Sequence, residues 1–109
     1  MSLKISDIIS PMVKAAASSL GEDWPEVKDY AVPELRKLAQ SLIDITELRA
    51  RDKLTQRQAR SLIRIHKNTT MMVMLTVEGL GIIAVENAIN AALKAVRETV
   101  NTFIGFKLV

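Results

Sequence analysis

The chain has 109 residues, a net charge of +3, no cysteine, and a composition that is 49% hydrophobic but only 4% aromatic. Without cysteine there is no disulfide, no thiolate metal ligand and no cysteine nucleophile. An apolar fraction drawn from Leu, Ile, Val, Ala and Met, with four Gly and three Pro to make turns, favours helices packed on helices over a β-sandwich.

The first residues, Met-Ser-Leu-Lys-Ile-Ser-Asp, contain no apolar run ending in a small-residue cleavage site, so the sequence reads as cytoplasmic rather than secreted. Ser10-Pro11 offers a capping residue followed by a first-turn proline, which predicts a short helix over residues 11–20 that stops at Gly21. Its Ala15-Ala16-Ala17 run is small enough to let another backbone come close. Asp23-Trp24-Pro25-Glu26 repeats the signal as a capping box, and Ala31, Leu35, Leu38, Leu42 and Ile45 then recur at 4-3-4-3 spacing. That seam predicts a second helix over residues 25–52, kinked near Pro33.

Thr55 followed by Gln58 is the clearest local signal, a capping box that starts a third helix after a short turn. Apolar periodicity carries this helix to about residue 103, so the chain reads as a long antiparallel helical hairpin with a short N-terminal helix. Helix geometry then makes facing residues sum to roughly 108. Asp44 faces Arg64 and Glu47 faces Arg60, inviting salt bridges across the hairpin.

Between Thr76 and Asn101 the polar residues fall in one sector of roughly 120°, leaving about two-thirds of the circumference apolar, more than one packing neighbour covers. Some twenty residues, 84–103, overhang the second helix by about 30 Å, and the short first helix covers about half of that. The excess predicts an all-α chain that forms an oligomeric helical bundle, with itself as partner. Met71, Met74, Leu75, Ile82, Val85, Ile89 and Val96 are the expected oligomer interface. Methionines suit such an adaptable surface.

A membrane span is the competing use of this stretch. Nine Leu, Ile and Val residues from Met71 to Leu93 gain roughly 3–5 kcal/mol, but Glu78 and Glu86 cost about 2.5–3.5 kcal/mol each near a helix centre. A spanning helix is therefore disfavoured, and a membrane-active helical protein stands as a further alternative only.

Glu78 lies on the apolar sector, so it requires a partner; the hairpin register offers a buried polar pair with Tyr30, or an ion pair with Lys28. His66 also sits on the apolar sector. Ile63 occupies the position three before it, where a di-iron carboxylate helix needs Glu. Gly79 and Gly81 fall inside a helical pattern rather than in a strand-to-helix loop, so they are no phosphate cradle. No base, nucleophile and orienting group can be assembled, and neither metal ligands nor a cofactor motif are recognisable. The expectation is a non-enzymatic structural or interaction protein. Leu54-Thr55 followed by Ala59 is too common a pattern to mark a family.

Charge is uneven along the chain. Residues 1–46 carry five basic and seven acidic side chains, residues 47–69 seven and two, and residues 70–109 three and three. Arg57, Arg60, Arg64 and Lys67 share one helix face. They form a possible patch for nucleic acid or another acidic partner, although no aromatic residue interleaves with them. A nucleic-acid-binding accessory protein is the alternative function.

Overall fold

The computed structural model describes residues 3–77 and 79–109. The described residues form four α-helices: α1 (Ile5–Leu20), α2 (Trp24–Ala50), α3 (Gln56–Met74) and α4 (Ile82–Ile104), with a 3-10 turn at Gly21–Asp23 between the first two.

The first helix starts six residues earlier than the Ser10-Pro11 signal indicates. The Asp7 carboxylate accepts a hydrogen bond from the Lys4 backbone N–H at 3.1 Å and adds a negative charge to the first turn, where the helix dipole favours it. Pro11 therefore lies within α1 rather than at its start. The capping box expected at Asp23 does not form, because Asp23 is itself in helical conformation and the 3-10 turn feeds directly into α2. Pro33 does not split α2, which runs unbroken through it.

At its C-terminus α2 closes with two interlocking main-chain bonds, Asp52 N–H to the Arg49 carbonyl at 3.0 Å and Lys53 N–H to the Leu48 carbonyl at 2.9 Å. Asp52 takes the left-handed conformation, φ 56°, that this cap requires and that glycine usually supplies. The box that opens α3 forms as the sequence indicates: Thr55 Oγ1 accepts from Gln58 N–H at 3.0 Å, and Gln58 Oε1 accepts from Thr55 N–H at 2.8 Å.

The continuous helix over residues 56–103 is corrected by the structure. After Met74 the chain leaves the helix with bonds from Thr76 N–H to Val73 and from Val77 N–H to Met74, and the Thr76 hydroxyl caps the Val73 carbonyl at 2.6 Å. Gly79 has φ 92°, which side-chain-bearing residues rarely adopt. Gly81 is extended at the N-cap of α4. Two glycines that cost about 1 kcal/mol each inside a helix thus serve better as a break.

The break changes what covers the apolar surface. A single helix over residues 56–103 would be about 72 Å long, whereas the longest dimension of the molecule is 42 Å, about the length of α2 alone at 1.5 Å per residue. The second half folds back as α4 and lies along α1, the most extensive helix pairing in the fold, while α3 packs against α2. The predicted overhang is therefore covered within one chain. Ile8, Met12 and Ala16 of α1 and Val85, Ala88, Ile89 and Ala92 of α4 are all fully buried.

The core continues through Leu35, Leu38, Leu42 and Ile45 of α2 and Ala59, Ile63 and Met74 of α3. Two threonines are buried with it; Thr46 and Thr70 return their hydroxyls to the Ile43 and His66 carbonyls at 2.7 and 3.0 Å, so neither leaves an unpaired group. None of the helices among the described residues is long and apolar enough to cross a membrane.

Candidate functional site

Beyond α4 the chain hooks back on itself. Gly105 ends the helix in left-handed conformation, with its N–H on the Asn101 carbonyl. The Asn101 side chain then clamps the tail: Oδ1 accepts from Leu108 and Val109 N–H at 2.9 and 3.0 Å, and Nδ2 donates to the Val109 carbonyl at 2.9 Å. Leu108 is buried against the core. The Phe106 ring lies beneath two guanidinium groups, with Arg60 at 5.2 Å and Arg49 at 5.6 Å from its centroid. This hook escaped the sequence reading; glycine just after a helical pattern was the available signal, but nothing in the spacing assigned Asn101 to the tail.

The hook displaces one expected set of contacts. Arg60 does not pair with Glu47; its Nε donates to the Lys107 carbonyl at 3.0 Å. Asp44 does not pair with Arg64 but accepts from Gln40 Nε2 at 2.9 Å, one helical turn away. Among the described residues the salt bridge is Lys37 to Glu34, at 2.9 Å. Exposed pairs across two helices fix two long side chains for little gain, and a local turn or a main-chain oxygen competes well with them.

Among the described residues, Arg60, Arg64, Lys67 and Arg97 have no carboxylate within salt-bridge distance. Arg60, Arg64 and Lys67 of α3 face Arg97 and Asn90 of α4 across a cleft of about 380 Å³. Ile63, Leu93 and Leu108 make its apolar floor, and the tail closes one side at Val109. Among the described residues no Asp or Glu lines it. Arg57, grouped with these residues on the helical wheel, lines a separate shallow groove with Leu54, Gln58, Ser61, Leu62 and Ile65. Arg97 was missed because it lies on another helix, some thirty positions from Lys67.

The expected oligomer interface is corrected in part. Met74, Val85, Ile89 and Val96 are each buried to within 1% in the chain's own core, because α1 and α2 reach the faces that the long-helix reading left bare. Met71 and Leu75 are half-buried. Ile82 alone of that set is open, at 59%, and its neighbours around the α3–α4 connection join it: Ile83 at 72%, Met72 at 70% and Val73 at 40%. Ile65 of α3 is 58% exposed.

The proposed partner of Tyr30, Glu78, lies outside the described residues; Tyr30 itself is exposed, at 64%. His66 is half-buried and stands alone. No group of three or more His, Asp and Glu gathers among the described residues. Glu86 and Asn87 of α4 are exposed, as is Asn90 at the edge of the cleft. Compared with known protein families, with curated proteins and with solved structures, the chain matches none of them.

Proposed function

We propose that the chain is a non-enzymatic assembly or interaction protein that works as a homo-oligomer, joined through the apolar corner where α3 gives way to α4. The observation that carries this reading is the exposure of four large apolar side chains, Met72, Val73, Ile82 and Ile83, on either side of one connection. Isolated exposed apolar residues are ordinary; several at one end of a small molecule mark a surface that gains by being covered. Full burial of an Ile or Met side chain is worth about 1.5–3 kcal/mol, so completing the burial of side chains already partly covered contributes about 1–2 kcal/mol each.

A second copy is the favoured partner on charge grounds. Residues 70–109 carry three basic and three acidic side chains, whereas residues 47–69 carry seven and two. Two copies meeting at the neutral corner turn their basic ends outward, while contact through the basic ends sets like charges against each other. In a two-fold arrangement every corner residue acts twice.

Light scattering across a dilution series tests the reading. The expected result is a mass of at least twice the chain's 12.1 kDa at high concentration, falling on dilution. The double substitution Met72→Gln with Ile83→Gln shifts the chain to single copies at the same concentration. A monomer at the highest soluble concentration overturns the proposal, and so does an oligomer that the double substitution leaves intact.

A further inference from the structure

We propose that the cleft between α3 and α4 is a binding site for a small organic diphosphate, held by Arg64, Lys67 and Arg97 with Arg60 as a fixed anchor. The proposal is independent of the oligomer. It starts from an electrostatic anomaly: four cationic side chains converge on one cleft, and none has a carboxylate within salt-bridge distance among the described residues. Water screens much of their mutual repulsion, since Arg60, Arg64 and Arg97 are exposed, and an anion sharing the space removes the rest. A main-chain carboxylate at Val109 would still leave the lining with a surplus of positive charge.

Arg60 is already oriented. Its Nε is spent on the Lys107 carbonyl and its plane lies over Phe106, while its terminal nitrogens donate to no partner among the described residues. A guanidinium fixed in place loses little freedom on gripping a phosphate, and its fork matches phosphate oxygens in a way that ammonium does not. Arg64 and Arg97 approach from opposite helices, and Lys67 adds a point charge beside them. Several positive charges suit a multiply charged diphosphate better than a monoanion.

The floor decides what accompanies the phosphates. Ile63, Leu93 and Leu108 are apolar and buried, and about 380 Å³ lies within the range of small-molecule sites. There is room for an organic portion on an apolar surface, with the Asn90 amide at the edge. No aromatic side chain lines the cleft, so it lacks the stacking platform on which single-stranded nucleic acids are held.

Isothermal titration calorimetry with inorganic pyrophosphate and with ADP, at low salt, tests the site. Both bind saturably to the wild-type chain, ADP more tightly through its organic portion, and both weaken as salt is raised. Arg64→Glu and Arg97→Glu each reduce the affinity at least about 10-fold. Lys28→Glu makes the same change in net charge on α2, beside the α3–α4 connection rather than at the cleft, and at physiological salt alters affinity less than about twofold. Circular dichroism checks that each variant keeps its helices; Arg64→Gln and Arg97→Gln replace any that does not, with the same loss expected. Absence of saturable pyrophosphate binding up to about 10 mM overturns the proposal. Equal losses in the Lys28 variant overturn it as well, as does oligonucleotide binding that pyrophosphate fails to displace.

Discussion

Along α4 the side chains of Val85, Ala88, Ile89, Ala92, Val96 and Val100 are all closed off from solvent, whereas Ile65, Met72 and Val73 of α3 remain open to it. Both helices are amphipathic, but they meet different numbers of neighbours. The broad apolar face of α4 is covered by α1 and, less extensively, by α2. Its small residues Ala88 and Ala92 are buried, as is Ala16 on α1; small side chains permit close helix approach. The α3 helix buries a narrow seam, Ala59, Ile63, Thr70 and Met74, against one main neighbour. Its other apolar residues therefore point elsewhere. A surplus of apolar residues in a sequence therefore does not say which of them are surplus in the fold.

Substitutions on the two sides of this contrast have different consequences. Ile89→Ala removes a fully buried side chain from the closed face and lowers unfolding free energy by about 2–5 kcal/mol in chemical denaturation. Ala92→Leu tests the same face from the opposite direction, forcing bulk into a filled space at a cost of about 1–3 kcal/mol. A cost below about 0.5 kcal/mol for either change contradicts tight packing of α4 in the core.

The connection between the two regions is tested by its glycines. Gly79→Ala places a Cβ on a residue with φ 92°, destabilising the chain by about 1–2 kcal/mol although, among the described residues beyond its chain neighbours, nothing lies within 4 Å of the new carbon. Gly81→Asp also enters open space, but at ordinary backbone angles and at an N-cap. It supplies the missing cap and stabilises by a few tenths of a kcal/mol. Thermal melts that place the two changes in the same direction contradict the helix break. Ile83→Gln, on the open side, changes the stability of the single chain by no more than about 0.5 kcal/mol, measured at a concentration where no oligomer is present.

Local signals were legible where the chemistry is local. Thr55 with Gln58 marked the start of α3, and the Ala31, Leu35, Leu38, Leu42 and Ile45 seam marked the buried face of α2, since capping and 3.6-residue periodicity involve residues a few positions apart. Gly79 and Gly81 were visible but ambiguous, because a helix tolerates glycine at a modest cost and a break uses it. The basic residues of α3 were readable as one helix face. The cleft they line was not, since Arg97 and Leu108 join them only through the fold.

The sequence by itself determined an all-helical chain, most of its starts and stops, and the uneven charge that leaves residues 47–69 strongly basic. Tertiary structure alone decided that α4 turns back onto α1, that the apolar corner is small, and that Arg60, Arg64, Lys67 and Arg97 share one cleft with no Asp or Glu side chain among its described lining residues. The physical reason is one of range. Helix propensity and capping act over a single turn, whereas the cover for an apolar face or the partner of a charge is settled by whichever distant segment buries the most surface when the chain closes.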